Sequence, residues 1–235
     1  MKILNDLSFT IKEGSITGLI GPNGAGKSSF FNALFALFPS TGSIKLEDIE
    51  LVGKTPNQVN HLGVCRTFQD SKLLPQMTVL ENLMLSSKYS ETVTLRRVFF
   101  DSKNLSEEQK NEQAQGIKLL RKVGLEKKAH ILAGDLSYGQ SKLIEILKLF
   151  MCDSKLILLD EPFSGLFPEM IKVITRLIYE LVESGRTIIF VEHNMKLISE
   201  ICDHVIVLDA GTKIAEGTFD HVRKIPAVIE AYLGD

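Results

Sequence analysis

The chain has 235 residues, 44 % of them hydrophobic and 24 % charged, with a formal net charge of −2. That length can bury one good core with a lobe attached, and a charge so near zero gives no electrostatic basis for nucleic acid or anionic membrane as the main partner. Three scattered cysteines, Cys65, Cys152 and Cys202, match no metal spacing and read as reduced thiols of a cytosolic protein. No apolar run approaches the ~20 residues that cross a bilayer, and Lys2 with Asn5-Asp6 interrupts any leader-like stretch, so work at a membrane requires another subunit.

Residues 7–11 alternate apolar and polar and read as a strand, which Glu13-Gly14 turns into a second strand at 16–20. Gly21-Pro22-Asn23-Gly24-Ala25-Gly26-Lys27-Ser28 follows and fits the phosphate-loop pattern G-x-x-x-x-G-K-[ST] at every specified position. Ser29 opens an apolar-faced helix to 38, on which Phe31, Leu34, Phe35 and Phe38 form a core stripe that Pro39 ends. A strand, a glycine turn and a helix N-terminus gather backbone N–H groups and a positive dipole end around one anion. Lys27 is then placed for the β- and γ-phosphates and the Ser28 hydroxyl for magnesium, so the pattern predicts a nucleotide-binding protein.

An edge strand is expected at 42–46, a short helix from Thr55-Pro56, and a strand at 63–68 that closes on Gln69. Between 70 and 152 the pattern is helical, at 79–85, 107–123 and 140–151, with a polar connection at 86–106. This divides the chain into a nucleotide-binding core, 1–69 and 153–235, and an inserted helical subdomain, 70–152. Strand–helix alternation then resumes: strand 156–159, helix 168–183, strand 187–191, helix 194–202, strands 204–208 and 213–215, and a small helix at 227–233. Asp160 ends the first of these strands and Glu161 follows it. In a doubly wound sheet ligands gather at the carboxyl ends of strands, so Asp160 is expected to hold magnesium and Glu161 to act as general base on an attacking water.

Leu136-Ser137-Tyr138-Gly139-Gln140 resembles the L-S-G-G-Q signature of ABC-transporter ATPases. The other motifs of that family stand in family order: Gln69 in R-T-F-Q, Asp160-Glu161-Pro162, Ser164-Gly165-Leu166, and His193 closing I-I-F-V-E-H. The resemblance runs from Leu4 to the last residue. It implies an α/β P-loop NTPase core with a parallel sheet, an antiparallel β subdomain and an inserted α-helical subdomain, using ATP and Mg2+. It also implies two cassettes packed head to tail, as homo- or heterodimer, with Ser137, Gly139 and Gln140 of one facing the γ-phosphate bound by the other. By the same resemblance His193 hydrogen-bonds the γ-phosphate, and Gln69 senses magnesium and the attacking water.

R-T-F-Q, M-T-V-L-E-N-L, the signature tyrosine and the closing A-Y-L-G-D are similar to branched-chain amino-acid importer ATPases. Lipopolysaccharide-export and urea- or amide-type ATPases are the competitors, and a non-hydrolysing regulatory cassette is a third class. The implied partners are transmembrane permease subunits, on the cytoplasmic face of the inner or plasma membrane. Two departures stand out. The family usually has a further strand and an adenine-stacking aromatic ahead of the Leu4 position, which leaves the antiparallel subdomain N-terminally incomplete here. Phe167 stands where the family has Asp or Asn, which bears on coupling between the two sites.

Overall fold

Apolar runs with hardly any polar alternation make strands covered on both faces. That is what ITGLI, LILLD and TIIFV do here, as strands in which every residue is buried. A computed structural model of the chain describes residues 3–67, 73–87 and 102–233. Contacts divide the chain into two units: residues 1–69, 154–164 and 180–235, and residues 70–153 and 165–179. The second takes 165–179, which the sequence division places with the core. Gly165 there lies against Tyr138, and Gly139 against Met170.

The first unit opens with β1 (Ile16–Ile20) and α1 (Lys27–Leu34), then β2 (Lys45–Leu46), β3 (Ile49–Glu50), α2 (Pro56–His61) and β4 (Val64–Arg66). A two-stranded antiparallel hairpin joins β2 to β3. In the second unit lie α3 (Val79–Met84), α4 (Ser102–Lys122) and α5 (Tyr138–Met151). The chain continues as β5 (Leu156–Asp160), α6 (Pro168–Glu183), β6 (Thr187–Val191), α7 (Met195–Ile201), β7 (His204–Asp209), β8 (Thr212–Gly217), α8 (Phe219–Val222) and α9 (Pro226–Leu233). One sheet runs in the order β4-β5-β6-β1-β7-β8, parallel except for the β7–β8 pair. Leu19, Phe31, Leu34, Leu158, Ile189 and Ile206 meet in its core, each such side chain contributing about 1.5–3 kcal/mol on burial.

Helix ends follow local chemistry. Thr55 with Gln58, Thr78 with Glu81 and Ser137 with Gln140 are capping boxes, each hydroxyl cap worth about 1 kcal/mol. Helix α1 stops short of the expected residue 38. Ala36 takes a left-handed φ of 56°, with Ala36 N–H donating to the Ala33 carbonyl and Leu37 N–H to that of Asn32. That is a Schellman ending; it comes before Pro39 and turns Phe38 out, 56 % exposed. Ala36→Gly removes the Cβ clash of the left-handed residue at some cost in unfolded-chain entropy. The expected net gain is about 0.5 kcal/mol, some 1–2 °C in Tm by calorimetry; a lower Tm would contradict the assignment of strain to Ala36.

Residues 7–11 are not a strand. Leu7, Phe9 and Ile11 pack on the core while Ser8 and Thr10 are exposed, so the alternation holds. Among the described residues, however, the run has no ladder partner. A cavity of about 630 Å³ is lined by Leu7, Phe9 and Ile11 and by Ile44, Leu46 and Lys155. The antiparallel subdomain is thus reduced to the β2–β3 hairpin beside an unpaired extended run.

Candidate active site

Strands β5, β6 and β1 are neighbours and parallel, so their carboxyl ends lie along one edge of the sheet. The phosphate loop leaves β1 there, Asp160-Glu161 leave β5, and Glu192-His193 leave β6. Gly21 has φ +153°, and a Cβ on it would lie 2.1 Å from the Leu208 carbonyl oxygen. Only glycine fits. Gly26 is the left-handed N-cap of α1 and makes no side-chain cap, leaving the first-turn N–H groups without carbonyls four residues back. Asn23, Gly24 and Ser28 are exposed, Pro22 and Ser29 half-buried, and Ala25, Gly26 and Lys27 buried. The Lys27 ammonium turns back into its own loop, donating to the carbonyls of Gly21 at 2.7 Å and Pro22 at 2.9 Å.

Asp160 is 9 % exposed. Its Oδ2 accepts from the Arg66 guanidinium at 3.0 Å. The same guanidinium donates to Asn32 Oδ1 at 2.6 Å and lies 5.4 Å from the centre of the Phe31 ring. Arg66 therefore ties the end of β5 to helix α1. Glu161 adopts φ +47°, a left-handed conformation that costs an L-residue about 1–2 kcal/mol. Its N–H donates to the Val191 carbonyl at 3.0 Å, and its carbonyl accepts from Ser164 N–H at 3.2 Å. One Glu161 carboxylate oxygen lies 3.0 Å from His193 Nε2. The expected base and the expected phosphate-binding imidazole are hydrogen-bonded partners.

In the second unit Ser137 caps α5. Gln140 N–H donates to the Ser137 hydroxyl, Gln140 Oε1 accepts from Ser137 N–H at 3.2 Å, and Lys128 Nζ donates to that same Oε1 at 3.0 Å. Gln140 thus holds the helix start from which Ser137 and Gly139 are presented. Tyr138 is half exposed, and Phe167 is 81 % exposed.

An ABC transporter family model matches residues 4–164, more than half of the chain, and a branched-chain amino acid ATP-binding cassette transporter model matches 212–235. The chain belongs to the ABC-transporter ATPase family. The cassette is 36 % identical over 234 residues to the high-affinity branched-chain amino acid transport ATP-binding protein LivG of Salmonella typhimurium, covering 99 % of this chain and 92 % of that one. It is 33 % identical to the corresponding protein BraF of Pseudomonas aeruginosa, with the same coverage. Among solved structures, a nucleotide-free ATP-binding cassette from an ABC transporter superposes with a TM-score of 0.82 at 31 % identity, covering 99 % of this chain and 93 % of that chain. The ADP conformation of an ABC-transporter cassette gives 0.82 at 32 %, with the same coverage. The cassette is an ATPase of the P-loop α/β class.

Gln69 lies outside the described residues. For magnesium, the Ser28 hydroxyl and the Asp160 carboxylate are hard oxygen donors of the right kind. No group of three or more His, Cys, Asp or Glu side chains forms a metal cluster among the described residues. Arg66 and Glu192 escaped the sequence reading, where Arg66 appears only inside R-T-F-Q and Glu192 only inside the β6 motif. Each is an ionisable residue in or directly after a buried strand, a pattern that flags both once strand ends are known to face a ligand. The tail matters too. In α9, burial pushes the Tyr232 phenol up to about 12, opposed by the nearby Gly21 backbone.

Proposed function

We propose that the cassette hydrolyses ATP to drive a transmembrane permease that imports branched-chain amino acids. The observation that supports this reading is the similarity to LivG and BraF over 99 % of the chain, extended by the separate match of the 212–235 tail. Among the described residues no helix is long and apolar enough to cross a membrane; the transport role of the relatives supports a peripheral subunit acting on a permease. The assigned roles are those of the residues at the sheet's edge. The loop N–H groups and Lys27 hold the phosphates; Ser28 and Asp160 would hold magnesium, which when bound would offset phosphate charge. Glu161 takes a proton from the attacking water as its oxygen bonds to the γ-phosphorus and the bond to ADP breaks. His193, held beside Glu161, hydrogen-bonds a γ-phosphate oxygen. Ser137 and Gly139 act on the nucleotide of a second cassette, packed head to tail. ATP favours the closed pair and hydrolysis releases it.

Reconstitution in proteoliposomes with its permease and a binding protein tests the substrate. ATP turnover and uptake should rise together with leucine, isoleucine or valine. Stimulation by urea or short amides, and none by these three, would reject it.

Lys27→Ala should weaken ATP binding by roughly 10- to 100-fold, the loss of a charge-assisted contact worth about 1.5–3 kcal/mol. The carbonyls of Gly21 and Pro22 lose their Lys27 donor, the first at a buried position, which should lower Tm somewhat while the circular dichroism spectrum stays native. Unfolding without ligand would make Lys27 structural.

A further inference from the structure

Glu192, one residue before His193, is 6 % exposed. Its Oε1 accepts the N–H of Phe163 at 3.2 Å, and its Oε2 accepts those of His193 at 3.1 Å and Asn194 at 3.4 Å. Phe163 is two residues beyond Glu161, and its buried ring stands edge-on to Phe190 of β6 at 5.9 Å. One carboxylate therefore spans two loops. The first carries Glu161 in its left-handed conformation, and the second carries His193. Three N–H donors converge on two oxygens, a task for which a carboxylate is suited because it offers acceptors and no donor. Glutamine in the same place would turn an NH2 toward at least one of those N–H groups. Burial pushes the Glu192 carboxyl above its ordinary range, while the three backbone donors favour its anionic form.

We propose that Glu192 is a positioning residue for ATP hydrolysis, fixing the Glu161 loop against the His193 loop so that carboxylate and imidazole keep their working separation. The proposal rests on Glu161 being the base. Glu192 acts through the two residues it holds. Its removal should therefore slow turnover without weakening ATP binding.

The test uses the full chain with Glu192→Gln, and Glu192→Asp as a charged variant one methylene too short to span both loops. Each should lower kcat at least tenfold, while KM and the dissociation constant for a fluorescent ATP analogue stay within twofold. Independently of turnover, the imidazole 15N resonances of His193, assigned with His193→Gln, report its contact with Glu161. In the Glu192 variants they should move as they do in Glu161→Ala. Unchanged kcat with unchanged resonances in a folded variant overturns the proposal, as does a fall in ATP affinity matching the fall in kcat. Turnover retained by Glu161→Gln would instead reject the base assignment, and the claim on loop spacing is then decided by the resonances alone.

Discussion

Glu161→Gln should bind ATP as the parent does and lose turnover by about 10²-fold or more, the share usually carried by a positioned general base. The geometry makes this substitution clean. Glutamine keeps the shape of the side chain, and its amide still offers a hydrogen-bond partner to His193 Nε2, which lies 3.0 Å from the glutamate oxygen. The backbone anchors of residue 161, from its N–H to Val191 and from Ser164 N–H to its carbonyl, do not involve the side chain. What is lost is proton acceptance together with the carboxylate's negative charge. With hydrolysis blocked, the ATP-bound pair should accumulate, so gel filtration with ATP and Mg2+ should show a doubled mass that ADP does not support. Turnover within a few-fold of the parent would move the base elsewhere.

Arg66→Ala should be the most damaging substitution to the fold of the nucleotide unit. The Arg66 and Asp160 side chains are only 5 % and 11 % exposed, and stripping one partner from a buried ion pair typically costs about 3–5 kcal/mol. The change also removes the donor to Asn32 Oδ1 and the cation over Phe31. Urea denaturation should show a lower midpoint at constant slope. Arg66→Lys should rescue only part of the loss, since an ammonium cannot serve Asn32 and Asp160 with the geometry of a planar fork. A cycle with Asp160→Asn separates the pair from its surroundings. Coupling of about 1 kcal/mol or more supports the ion pair, and additive effects would assign the loss to packing on Phe31.

The sequence was most legible where chemistry is local. The phosphate loop, the signature helix start and the buried runs of β1, β5 and β6 each rest on spacing within a dozen residues, and each stands in the structure at or within two residues of its expected bounds. Arg66 was opaque because its meaning depends on β4 lying beside β5, which brings it to Asp160 across 94 positions of chain. Glu192 was opaque for the same reason, since it speaks to Phe163 across the β5–β6 boundary. Helix α1 was overextended because Phe35 and Phe38 continue the helical period, while the left-handed turn at Ala36 carries no glycine to announce it. Residues 7–11 show the opposite error. Their alternation reports correctly which side chains face the core, but a strand also needs a neighbour.

That unpaired run has a consequence for the isolated subunit. Among the described residues the run 7–11 has no ladder partner; the Ser8 carbonyl instead accepts from Lys213 Nζ at 2.8 Å, so a side chain covers part of what would otherwise be a strand edge. Lys12, Lys45 and Glu47 are exposed around it, and charges so placed repel a second edge approaching flat. Around this run, protection against edge pairing falls to these charged side chains and to Lys213. Concentrated salt, which screens those charges, is the condition under which that protection is weakest.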